Sequence, residues 1–143
     1  MDITVSFPGG KRVDAQVGKF VLPTDQPVAS GGADSAPAPF DLFLASLATC
    51  AGIYVLGYCQ TRGIPTDGVR LVQRTEDDPI THRPRRISLD VLVPATFPAE
   101  SRAGVQRAAA ACKVKKVLAD PPQLDVNVVA DPIAQGSETC AAA

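Results

Sequence analysis

One histidine and no Cys-x-x-Cys pair leave this 143-residue chain poorly supplied with metal ligands. A zinc centre needs several nitrogen or sulfur donors, usually with two of them close in sequence, so no metal site is expected. A basic surplus is missing too, since the formal net charge is −1. Nucleic acid is therefore not expected as the main partner, because phosphate binding draws on an excess of lysine and arginine. The opening Met1-Asp2-Ile3-Thr4 lacks a basic stretch followed by an apolar run, so no secretory leader is expected. A cytoplasmic setting, where thiols stay reduced, is the expectation. No internal repeat and no linker-like change of composition divides the chain.

What is present is the composition of a soluble globular protein, 45% hydrophobic and 20% charged. A single domain over residues 1–131 is expected, followed by a polar, alanine-rich tail over 132–143. A chain of this size buries roughly two thirds of its unfolded surface and needs no disulfide staples. Its four cysteines then stand for reactivity or for core packing.

Periodicity divides the chain into elements. Ile3, Val5 and Phe7 alternate with Thr4 and Ser6, which predicts a strand, and Pro8-Gly9-Gly10 predicts a turn. Residues 12–16 and 19–22 read as two further short strands of a small antiparallel meander. A long loop rich in Pro, Gly, Ser and Ala runs from Pro23 to Pro39. Pro39 and Asp41 then mark the start of a helix from Phe40 to Arg62, stopped by Gly63 and Pro65. At ~1.5 Å per residue this helix is roughly 35 Å long, about the width of such a domain. Alternation over 68–75 and 86–93 predicts two strands joined by a polar connection. A second helix is predicted from Pro98 to Leu118, stopped by Asp120-Pro121-Pro122, and a last strand carries Leu124, Val126 and Val128. The pattern is α+β, with antiparallel sheets around two long helices.

Leu42 to Cys59 holds 18 residues without a charge, the lower limit of a membrane span. Its Ala, Ser, Thr and Gly residues, and the lack of a closely flanking basic cluster, favour the central helix of a soluble core and not a membrane. A helix apolar on all sides is hard to cover in one chain of this size. A second copy could cover it, which favours an intertwined homodimer.

The residues able to carry chemistry are few. Cys50 lies mid-helix among Ala48, Thr49, Ala51 and Gly52, which leave space beside the sulfur. It reads either as a reactive thiol or as a small buried hydrophobe. Cys112 precedes Lys113, Lys115 and Lys116 near the predicted end of the second helix. The lysines lower a thiol pKa there or merely complement the helix dipole, whose C-terminal end raises it. Cys59, about 180° round the first helix from Cys50, reads as core packing, and Cys140 as an exposed tail residue. His82 stands in an arginine-rich hairpin, too isolated to serve as the base of a cysteine hydrolase. Arg12, after the Gly9-Gly10 turn, is placed where it could swing over a neighbouring site or simply be solvated.

The run from Pro37 through Phe40, Asp41 and Leu42 to Thr49-Cys50, together with the later Cys112-Lys113-Val114, resembles the OsmC/Ohr family along nearly the whole chain. That resemblance implies an OsmC-like fold, a homodimer with sites at the interface, and no cofactor. It implies a peroxidatic thiolate at Cys50 that reduces an organic hydroperoxide, a resolving thiol at Cys112, and a dithiol reductant. Well-studied members carry a glutamate ten residues before the reactive cysteine, where this chain has Phe40; Asp41 is the nearest carboxylate. Arg12 is the candidate for the family's activating arginine. A fold-preserving binding or stress-response protein with little peroxidase activity is the alternative reading.

Overall fold

In the first three strands, side chains alternate between two faces, and the turns between them fall on glycine. β1 (Ile3–Gly9), β2 (Arg12–Val17) and β3 (Phe20–Thr24) form an antiparallel meander in the order β1-β2-β3. Gly9 and Gly10 take φ of 127° and 61°, a conformation that side-chain-bearing residues rarely adopt. The computed structural model describes residues 1–130, so Cys140 and the expected tail lie outside the described residues.

β3 leads into the long loop, which is organised around one carboxylate. Asp25 is 1% exposed. It accepts the N–H groups of Gln26, Ala33 and Ser35 at 2.8, 3.2 and 3.1 Å, and the Ser35 hydroxyl at 2.7 Å. The Ser35 hydroxyl, helped by these amides, lowers its pKa from 3.8 to about 2. Gly32 crosses so close to Gln26 that a Cβ there would overlap the Gln26 backbone. Because the folded carboxyl is the more acidic, its contribution is fully present above about 3.8 and is lost as pH falls towards about 2. Asp25→Asn should therefore lower Tm at neutral pH, and the gap from wild type should close below pH ~2 in acid melts followed by circular dichroism.

The loop ends at α1 (Pro39–Thr61), where the Asp41 carboxylate accepts the Ala38 N–H at 3.2 Å. Ala51, Val55 and Cys59, spaced by four, turn inward. They pack with Phe97, Val105, Ala109 and Cys112 in one core. β4 (Arg70–Asp77) and β5 (Pro84–Leu92) form a separate antiparallel hairpin. It is tied to α1 by a hydrogen bond from Gln73 Nε2 to the Leu44 carbonyl at 3.0 Å. Asp78 winds the tip by accepting from Ile80 and Thr81, leaving His82 at φ 54°.

Two sequence expectations are corrected. The second helix is not continuous: α2 (Arg102–Ala110) ends at Ala111, and α3 (Lys113–Ala119) starts afresh. Alanine-rich sequence favours helix throughout this stretch, but Cys112 is extended at φ −61°, ψ 145° and buried in the core. The predicted last strand is not formed among the described residues: Leu124, Val126 and Val128 keep their alternation but pair with none of them and are 87%, 94% and 102% exposed.

Much apolar surface is left open. The β1–β3 sheet has scarcely any contact with the helices of its own chain, and Ile3, Phe7, Phe20 and Leu22 are exposed. So are Ile53 and Leu56 on the outer side of α1. α1 is long and apolar enough to cross a membrane, with a mean hydropathy of 1.8 in its richest window.

Candidate functional site

The break between α2 and α3 builds the site. By leaving the helix at Ala111 and re-entering at Lys113, the chain turns the first amide groups of α3 towards α1. Cys112 caps the new helix, its Sγ accepting the Lys115 N–H at 3.4 Å. The sequence placed this sulfur near a helix C-terminus, among carbonyl ends. The structure puts it at an N-terminus, among N–H groups, which reverses the local sign of the helix dipole.

Cys50 is half-buried on α1 and packs against the same core. The backbone N–H of Val114 is the strongest influence on its thiol and holds it below the ordinary value. Burial works the other way, while the Lys113 N–H, the Cys112 side chain and the Lys113 charge add to the lowering. These groups shift the Cys50 equilibrium towards the thiolate, with a second sulfur beside it. Cys59, farther along α1 and fully buried, is pushed the opposite way by burial alone.

Alkylation should separate these thiols. With excess iodoacetamide, Cys50 labelling should follow a pH midpoint below the ~8.5 of a free cysteine, while Cys59 stays unlabelled at neutral pH. Peptide mass spectrometry across a pH series reads both. A Cys50 midpoint at or above that of free cysteine would contradict stabilisation by the α3 amides.

The structure thus brings together Cys50 and Cys112 and leaves the other candidates elsewhere within one chain. Arg12 pairs with Asp14 at 2.7 Å and lines a hollow shared with Lys11, Asp25 and Ser35. It is not among the groups acting on Cys50. Asp41 is engaged at the helix start, nine residues before Cys50. His82 sits at the hairpin tip. The groups that sequence reading did not find are the Lys113 and Val114 amides. Every residue carries such a group, and only the helix break, which no proline or glycine announces, aims these two.

Cys112, though not Cys50, lines a cavity of about 730 Å³ between α1, α2 and β5. Leu47, Leu89, Val91, Val105 and Cys112 form part of its wall.

A family model described as OsmC-like protein matches residues 31–127. No curated protein sequence matches the chain. Among solved structures, the chain is similar to one described as an osmotic stress induced and detoxification response protein from Psychrobacter arcticus 273-4. The TM-score is 0.69 and the identity 21%, over 80% of this chain and 85% of that one. It is also similar to an OsmC-like protein from Mycoplasma pneumoniae, at TM-score 0.60 and 18% identity over 90% and 93% of the two chains. An organic hydroperoxide resistance protein OsmC from Legionella pneumophila matches with TM-score 0.57 and 18% identity, over 82% of this chain and 87% of that one.

Proposed function

The chain belongs to the OsmC-like protein family, and from that premise we propose that it is a thiol-dependent peroxidase that reduces organic hydroperoxides at Cys50 and resolves through Cys112. The observation that carries this reading is the Cys50 thiol, lowered in pKa by the first amides of α3 and set beside the capping Cys112. A peroxidase needs an acidified thiol and a second sulfur within reach, and the lowered Cys50 thiol beside Cys112 supports that reading. The Legionella relative's description as an organic hydroperoxide resistance protein points the same way.

The reaction balances in three steps. The Cys50 thiolate attacks the terminal oxygen of ROOH and the O–O bond breaks. The alkoxide leaves, taking a proton to become ROH, and Cys50 becomes a sulfenic acid. The Cys112 sulfur then attacks the Cys50 sulfur, and the S–O bond breaks. The sulfenic hydroxyl takes up the Cys112 proton and departs as water, and a disulfide remains. A dithiol reductant exchanges with that disulfide, is itself oxidised to a disulfide, and returns both thiols. The reduced compartment this cycle requires is the cytoplasm.

The working unit in this reading is a homodimer. Ile3, Phe7 and Phe20 on the first sheet, Ile53 and Leu56 on α1 and Val126 beyond α3 are open to water in one chain. A second copy would cover them, as soluble monomers rarely leave that much apolar surface exposed. Its N-terminal hairpin is also the available source of an arginine for Cys50, namely Arg12 of the other copy. A reading as a binding or stress-response protein with little turnover has one point in its favour. Phe40 and not glutamate stands ten residues before Cys50, and Asp41 caps its own helix.

The test is to mix reduced protein with tert-butyl hydroperoxide and a dithiol, following peroxide loss and intact mass. The expected result is catalytic peroxide loss and, without dithiol, a Cys50–Cys112 disulfide. Cys50 left unmodified while peroxide persists would end the peroxidase reading and leave the binding one. Sedimentation should give twice the chain mass, and a stable monomer would remove the dimer.

A further inference from the structure

α3 has little support of its own. It is seven residues long, Lys113–Ala119, and none of them is buried, whereas α1 and α2 both carry buried residues. So short a helix is marginal in water without tertiary packing. Its charges also oppose its dipole, with Lys113 and Lys115 in the first turn and Asp120 at the C-terminal end. What holds its N-terminus is sulfur. The Cys112 Sγ accepts the Lys115 N–H, and the N–H groups of Lys113 and Val114 act on Cys50. These are donors that a helix start leaves without an internal partner, so the sulfur pair takes the place of a cap.

Oxidation of the pair changes each of these contacts. A bond to Cys50 turns the Cys112 Sγ away from the Lys115 N–H. The Cys50 sulfur, once bridged, can no longer carry the negative charge that the amides favour, and hydrogen bonds to a charged acceptor are the stronger ones.

The burial of Cys112 gives that change a use. Cys112 touches the cavity wall yet has no exposed surface, and Cys50 is half-buried. A reductant must attack one sulfur of a disulfide and expel the other, and the more acidic thiol leaves faster. Cys50 is the lowered thiol, so attack on Cys112 is the faster route, and burial closes it while the first turn of α3 is in place.

We propose that forming the Cys50–Cys112 disulfide uncaps α3, and that the loosened first turn opens the Cys112 sulfur to the dithiol that reduces it. The inference shares its disulfide with the peroxidase reading but needs no peroxide, since any two-electron oxidant that joins the pair sets the switch.

Hydrogen exchange of the reduced protein and of the protein oxidised by diamide reads it. Diamide takes two electrons and two protons from the thiols, becomes the hydrazine and leaves the disulfide. The α3 amides from Lys115 to Ala119 should exchange roughly fivefold faster in the oxidised form, as the loss of one helix cap implies, while the α2 amides keep their rates. Cys112→Ala should show the fast α3 rate with no oxidant. Cys112→Ser, whose hydroxyl is itself a cap, should show the slow one with or without diamide. Asp120→Lys, which steadies α3 at its far end and touches neither sulfur, should slow reduction of the disulfide by dithiothreitol about twofold.

Equal α3 exchange in the two redox states, or slow exchange in Cys112→Ala, would overturn the switch, as would thiols that diamide leaves unjoined. Reduction indifferent to Asp120→Lys would remove the access role. Fast α3 exchange after diamide, with tert-butyl hydroperoxide left intact by the reduced protein, keeps the switch and ends the peroxidase reading. Turnover of that peroxide with α3 equally protected in both states does the reverse.

Discussion

Cys50→Ser should lower the rate of hydroperoxide reduction by at least about a thousandfold. A serine hydroxyl stays protonated at any working pH, and the α3 amides that favour a thiolate have no anion to stabilise. The variant should also lose the protein's disulfide, since Cys112 has no sulfenic partner to attack. Cys112→Ser should behave differently: one equivalent of peroxide consumed per site, a sulfenic acid trapped on Cys50, and turnover lost with a dithiol that cannot reach Cys50 directly. Cys59→Ser should change neither measurement, because that sulfur lies in the core with its thiol pushed up. Stopped-flow peroxide consumption with dimedone trapping distinguishes the three. A Cys50→Ser protein still reducing peroxide near the wild-type rate would move the chemistry to another residue.

The largest expected effect on stability lies at Gly104. There α2 runs so close to α1 that the Tyr58 ring covers the glycine directly; a Cβ would come within 2.7 Å of Tyr58 Cε2. The Arg62 guanidinium also lies over this ring, 4.0 Å from its centroid, and would have to move with it. In an open helix Gly→Ala stabilises by up to about 1 kcal/mol. Here overpacking outweighs propensity, and Gly104→Val should destabilise by about 3 kcal/mol. Since α2 carries the chain into the Cys112 break, loosening it should also blunt the fast alkylation of Cys50. Tyr58→Ala in the Gly104→Val background should recover part of the loss. Chemical denaturation of the single and double variants measures the coupling, and additive losses would place the strain elsewhere.

The order of elements was legible because it depends on local alternation. Ile3-Val5-Phe7, the proline and carboxylate at the head of α1, and Ile87-Leu89-Val91 each announce their element within a few residues. The two failures share a cause. A helix through Ala110-Ala111-Cys112-Lys113 is what local propensity favours, yet packing Cys112 into the core interrupts it. Strand alternation at Leu124, Val126 and Val128 is present, but a strand also needs a neighbour, and the described residues of one chain provide none. The sulfur pair was legible only by resemblance, since its members lie 62 residues apart in sequence. Asp25 escaped notice altogether: an aspartate in a Gly- and Pro-rich loop reads as a turn residue, and nothing local shows that Ala33 and Ser35 fold back onto it.

The open first sheet has a consequence for how this protein's free energy is defined. With Phe7 and Phe20 facing solvent, β1–β3 gain little from their own chain, so in the proposed dimer folding and the burial of those rings would be one event. There mass action enters the unfolding equilibrium. The chain then has no single melting temperature, only one for each protein concentration.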